Sequence, residues 1–163
     1  MRYKYWLAAL LLAAVLGVVF LSAPATAASG DDSVSVAGPG GYVVTFYKTS
    51  SKAAITSGLI TPMAMESSSI VQGQYKWHYR DVNYYTTSLN FGLYWGNPSN
   101  SLRLRVFTPD GYVLGPFYDM YDGSLNGATG VTVTRSGGVA QGTWVSEAYG
   151  YSVSGTQSYS IGS

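Results

Sequence analysis

The sequence predicts an all-β fold: an antiparallel β-sandwich forming a single domain after an N-terminal signal peptide. Three observations carry this. Between Ser88 and Gly111, Leu89, Phe91, Leu93 and Trp95 alternate with Asn90, Gly92 and Tyr94, and Leu102, Leu104 and Val106 alternate with Arg103, Arg105 and Phe107. A period of two is the signature of strands with one buried face. Aromatic and β-branched residues are separated throughout by Gly, Asn, Ser and Pro turns, every 8–12 residues or so. No window of ten or more residues shows a helical stripe.

The chain has 163 residues and a formal net charge of +1. Arg2 and Lys4 precede an apolar run from Tyr5 to Leu21, which Pro24 and the small residues through Ala28 close. A basic start, an apolar stretch and an A-x-A site at Ala25 and Ala27 define a signal peptide over residues 1–27. The alternative, an uncleaved membrane anchor, would use the same run at the short end of a bilayer span. Cleavage after Ala27 leaves 136 residues with seven Lys and Arg against eight Asp and Glu. That balance offers no clustered basic surface for nucleic acid. The chain has no Cys, so packing and sheet hydrogen bonds must hold an exported domain that has no disulfides.

Residues 28–69 read as an N-terminal extension with one or two strands. Ser29 to Ser35 is expected to fray, Gly38-Pro39-Gly40-Gly41 is a turn, and Tyr42 to Lys48 is a strand. A weak extended segment runs through Leu59, Ile60 and Met63. The sandwich proper is placed at 70–163. Ile70 to Val82 is one long strand or two short ones split at Gly73, with Tyr75, Trp77 and Tyr79 on one parity and Lys76, His78 and Arg80 on the other. The two alternating runs follow as an antiparallel pair at the centre of the core, each buried apolar side chain contributing roughly 1.5–3 kcal/mol before ordering costs. Pro109-Asp110-Gly111 turns the chain into Tyr112 to Leu114. Phe117 to Gly127 is a loop, and strands are expected over Gly130 to Arg135, Val139 to Tyr149 and the tail around Tyr159 and Ile161.

Little in this sequence can do chemistry. His78 is the only histidine, which excludes zinc sites built on several imidazoles, and no G-x-S-x-G elbow accompanies it. A histidine facing solvent or packed among aromatics is the expected state, and no catalytic residue is assigned. Asp119, Asp122 and Asn126, with Gly123 and Gly127, form an oxygen-rich cluster that could hold calcium, although Asp-Gly and Asn-Gly are also ordinary turn formers. Arg103 and Arg105 leave one face of a strand and read as a solvated face. Thirteen of 15 tyrosines follow the leader, too many for the core of a domain this small. Tyr84, Tyr85, Tyr94, Tyr118 and Tyr121 are the candidate ligand contacts, because exposed rings anchor sugars and proteins with little entropy lost per side chain.

The pieces Leu89–Asn97, Leu102–Gly111, Gly142–Gly150 and Gly155–Ile161, in this order and spacing, resemble the bacterial and archaeal pre-peptidase C-terminal domain family. The resemblance covers roughly Ile70 to Gly162. It implies a secreted, non-catalytic jelly-roll-like sandwich of a kind often appended to proteases, some relatives of which bind collagen or carry calcium. Many members have acidic residues where this chain has Ser101, Arg103 and Arg105, so no ligand role of those acids carries over.

The expected function is a non-catalytic, secreted or cell-surface binding module for a polysaccharide, the cell envelope or an extracellular protein, with no cofactor apart from the calcium considered above. Contact with the membrane would come only through the export signal. The alternative is a structural subunit of a surface layer or filament, self-assembling when an unpaired segment, Ala28 to Lys48, completes a neighbour's sheet.

Overall fold

The computed structural model describes residues 33–47 and 65–163, residue 124 excepted. The predicted signal peptide and the weak segment through Leu59, Ile60 and Met63 lie outside the described residues. The elements are β1 (Ser33–Ala37), β2 (Tyr42–Tyr47), β3 (Met65–Val71), β4 (Tyr75–Val82), β5 (Ser88–Tyr94), β6 (Ser101–Phe107), β7 (Val113–Tyr118), β8 (Ala128–Arg135), β9 (Gly142–Ser152) and β10 (Thr156–Gly162). Short 3₁₀ turns occupy Pro39–Gly41 and Asp119–Asp122. The strands form a six-stranded sheet, β1-β2-β8-β5-β10-β3, and a four-stranded sheet, β4-β9-β6-β7. Every pairing is antiparallel. The molecule is the all-β sandwich that the alternation predicts.

All seven apolar residues of the two alternating runs are buried in a core shared by both sheets. Their strands nevertheless do not pair. β5 lies in the large sheet and β6 in the small one, so the two runs face each other across the core. The connection through residues 95–100 explains this, because it is a built crossing and not a hairpin turn. Trp95 and Asn100 are both buried, and the Trp95 indole donates to the Asn100 carbonyl at 2.9 Å. Asn100 Nδ2 donates to Gln157 Oε1 at 2.7 Å, and Asn100 Oδ1 accepts from the Ser154 amide at 3.0 Å. Gln157 Nε2 donates to the Trp95 carbonyl at 3.0 Å. Buried amides that satisfy one another in this way fix a chain path where two sheets meet. Gly127 completes the corner: its carbonyl accepts from the Trp95 and Gly96 amides, and a Cβ there would sit 2.7 Å from the Asn97 nitrogen.

The other end of the sandwich is clamped by the Pro-Asp-Gly turn. Asp110 Oδ1 accepts from the Tyr42 hydroxyl at 3.0 Å and Oδ2 accepts from Arg135 Nη1 at 2.8 Å, which ties the β6–β7 turn of the small sheet to β2 and β8 of the large one. The Tyr42 ring is fully buried and meets Trp144 edge-on at 5.7 Å.

Several boundaries differ from those read off the sequence. Ser33–Ala37 is not frayed; it pairs with β2, and β2 pairs in turn with β8. From Ser33 to Tyr47 the segment expected to be unpaired is therefore paired within the molecule's own large sheet, with β1 as one of its edge strands. Phe117 and Tyr118 belong to β7 and not to the following loop, because Phe117 is a core residue opposite Leu104. Of the two readings of Ile70 to Val82, the structure has the split one: two strands, in different sheets, broken at Gln72-Gly73. There the Gly73 amide donates to the Gly150 carbonyl at 2.9 Å. A Cβ on Gly150 would fall 2.2 Å from the Val71 carbonyl oxygen, so only glycine lets β9 pass this close.

Candidate ligand-contact face

Strand β4 forms one edge of the small sheet, and its two parities have opposite surroundings. Tyr75, Trp77 and Tyr79 face outward and are 49%, 47% and 66% exposed. Lys76, His78 and Arg80 are half-buried on the side toward the gap between the sheets. Polar residues close that gap. His78 Nδ1 lies 2.7 Å from Glu66 Oε2 and its Nε2 lies 2.9 Å from the Tyr159 hydroxyl, linking β4 to β3 and β10. With both ring nitrogens occupied, the imidazole works as a bridge between sheets. Burial first, and the Glu66 carboxylate as well, raise the Tyr159 phenol above its ordinary pKa, only partly offset by its hydrogen bond with Ser68.

The outward parity of β4 opens a continuous aromatic face. In register, Tyr75 stands opposite Tyr149, Trp77 opposite Glu147 and Tyr79 opposite Val145. One strand further, Arg103, Arg105 and Phe107 of β6 stand opposite Tyr149, Glu147 and Val145. Tyr75 packs on Tyr149 with centroids 4.5 Å apart, and Trp77 leans across β9 to reach Phe107 at 5.4 Å. A bulge in β9 between its pairs with Ser101 and Leu102 leaves Tyr151 as the extra residue. Tyr151 packs on Tyr118 of β7 at 5.1 Å, and Tyr118 on Tyr121 at 5.5 Å. Strand spacing and rise make this face about 14 Å across the sheet and about 14 Å along β4.

Beneath the rings lies an ion pair. Arg103 Nη2 meets Glu147 Oε1 at 2.6 Å, with side chains 10% and 3% exposed. The guanidinium carbon sits 4.3 Å from the Tyr149 centroid and 5.9 Å from that of Tyr75. Burial alone would lower the Arg103 pKa; the hydrogen bond and charge of Glu147, with Tyr75 and Tyr118, outweigh it and raise it. The expectation that Arg103 and Arg105 form a solvated face fails for Arg103, because neighbouring rings fold over it. Arg103 Nε has no hydrogen-bond partner among the described residues, so the pair is not fully compensated for its desolvation.

The five tyrosines predicted as ligand contacts are not gathered in one place. Tyr84 and Tyr85 are exposed in the β4–β5 loop, where the Tyr84 hydroxyl accepts from Arg80 Nη2 at 3.2 Å. Tyr94 is half-buried on the large sheet, beside a hydroxyl-lined depression of about 530 Å³ formed with Ser67, Ser69, Ser158 and Ser160. Tyr118 belongs to the aromatic face, and Tyr121 borders it while packing on Phe46 at 5.7 Å. Tyr75, Trp77, Tyr79 and Phe107 are not among the aromatics that the sequence offers as contacts. Their signal was the shared parity of Tyr75, Trp77 and Tyr79, which marks one face of a strand without saying which way it points.

Asp119 is buried, and its oxygens accept the backbone amides of Asn126 at 3.1 Å and Gly127 at 2.8 Å. It thereby shapes the loop that delivers Gly127 to the Trp95 corner. The Asp122 side chain lies outside the described residues. Among the described residues, no group of three or more His, Cys, Asp or Glu is placed to hold a metal ion. An apolar groove of about 500 Å³ runs between β1–β2 and β7, lined by Val34, Val36, Phe46, Val113 and Pro116 among others. No protein-family model matches this chain, and no curated protein matches it significantly.

Proposed function

We propose that this protein is a non-catalytic, secreted or cell-surface binding module that holds a polysaccharide against the outer aromatic face of its small sheet. The observation that carries this reading is the row Tyr75, Trp77 and Tyr79, about half exposed or more, continued inward by Tyr149 and Phe107. A soluble sandwich gains nothing in solubility from rings on its outer face, and such contiguous apolar area marks interaction sites. Rings borne on strands are rigid, and each offers a flat apolar surface to the C–H faces of a sugar at low entropic cost. The engagement of both His78 nitrogens in a bridge between the sheets supports a reading without catalysis. The resemblance to pre-peptidase C-terminal domains belongs to the same proposal: Trp95 and Gln157 give two of its short motifs a structural task at the sheet crossing, separate from the contact face.

Co-sedimentation of the full chain with a panel of insoluble polysaccharides tests the reading. Retention by at least one of them should fall about tenfold or more in Trp77→Ala, the range of a binding hot spot. Retention unchanged by Trp77→Ala and by Tyr79→Ala would move binding off this face.

A further inference from the structure

We infer that the polymer held on the aromatic face is acidic, with Arg105 as the group that receives its carboxylates. The inference rests on the polysaccharide reading above and goes further by assigning the charge of the ligand. Arg103, Arg105 and Phe107 share one parity of β6, and their neighbours on that parity touch the outer rings: Arg103 lies on Tyr149 and Phe107 on Trp77. Arg105 therefore emerges between the two halves of the aromatic face. Opposite it stands Glu147, whose Oε1 is already held by Arg103 at 2.6 Å. One carboxylate thus stands between two guanidiniums, and a positive charge is left over at the centre of the face. Among the described residues Arg105 has no hydrogen-bond or ion-pair partner, whereas Arg103 has Glu147 and Arg135 has Asp110.

The remaining carboxylate on this face is Asp81, opposite Thr143 at the far end of β4 and engaged by the Thr143 hydroxyl at 2.6 Å. It stands four residues beyond Trp77, about 13 Å along the strand. Lys76 and Arg80 lie on the other parity and add nothing to this face. A guanidinium fork between flat rings recognises a planar carboxylate while the rings take the sugar's apolar faces. A uronic-acid polymer offers both groups on every unit. An acidic peptide offers the charge without the regular C–H faces.

The test uses the full chain with three soluble probes: polygalacturonate, the same polymer fully methyl-esterified, and polyglutamate. In low salt the chain should bind polygalacturonate about tenfold or more tightly than its ester, the weight of one charge-assisted hydrogen bond. Arg105→Gln should bring the acid form down to the level of the ester and leave the ester unchanged. Arg105→Lys, which keeps the charge, should retain part of the preference, an outcome that loss of packing would not give. Trp77→Ala should weaken both polysaccharides together. Equal binding of acid and ester, both lost in Trp77→Ala, would overturn the acidic assignment and leave the polysaccharide reading standing. Polyglutamate bound as tightly as polygalacturonate, with no effect of Trp77→Ala, would overturn both in favour of a protein partner.

Discussion

Arg103 and Glu147 form an ion pair on the outer face of a sheet, where side chains of this type usually meet water, yet both are almost wholly covered. Removing one member of such a pair leaves an uncompensated charge under the rings. Glu147→Gln should therefore destabilise the fold by about 3–5 kcal/mol, whereas replacing both partners together with Met and Leu should recover most of the loss. Urea denaturation with an unchanged m-value would measure this. A cost below about 1 kcal/mol would show that water reaches the pair. This burial was not legible in the sequence. Two arginines two residues apart are read by parity alone, and parity cannot report that Tyr75 and Tyr149 lie down over one of them. The same limit applied to Tyr75, Trp77 and Tyr79. Seen on β4 alone, aromatics on one parity and His, Lys and Arg on the other suit a strand facing either way, and only the sheet edge beside β3 and β10 decides it.

Among elements, the strands themselves were the most legible feature, because a period of two needs only local information. Leu89 to Trp95 and Leu102 to Val106 are core strands as their alternation requires. Which strands pair is a matter of distant partners, and there the expected β5–β6 pair gave way to two strands in opposite sheets. The Pro-Asp-Gly turn shows the same division: its existence is local, while its bond to Tyr42 and Arg135 depends on residues far along the chain. That clamp gives the fold a pH dependence with a definite sign. Burial acts to raise the Asp110 pKa, but hydrogen bonds from Thr108, Tyr42 and Arg135 outweigh it and hold the value low. Its stabilising contribution is thus complete above the unfolded value of about 3.9 and is lost as pH falls through the lower folded value. Burial, with the Asp110 carboxylate, raises Tyr42 against the opposing Ala140 amide, so its contribution is complete below about pH 10 and is lost as pH rises through the folded value. Thermal melts across pH should fall at both extremes, and Asp110→Asn should flatten the acid limb. An acid limb identical in Asp110→Asn would remove the clamp from the account.

At the scale of the whole molecule, the two ends and two faces of the sandwich divide the work. The Trp95–Asn100–Gln157 corner and the Asp110–Tyr42–Arg135 clamp join the sheets, and the outer face of the small sheet is left carrying rings that the core does not need. Of the tryptophans among the described residues, Trp95 and Trp144 are 5% and 0% exposed, whereas Trp77 is 47% exposed. Trp77 is therefore a reporter placed on the proposed contact surface itself. The most direct measurement is a tryptophan fluorescence titration of the full chain and of Trp77→Phe with a polysaccharide that the chain retains. The account predicts a blue shift and reduced acrylamide quenching in the natural chain, and a silent spectrum in Trp77→Phe while that variant still binds. Saturable binding that leaves Trp77 as open to the quencher as before, or a signal that persists in Trp77→Phe, would contradict it.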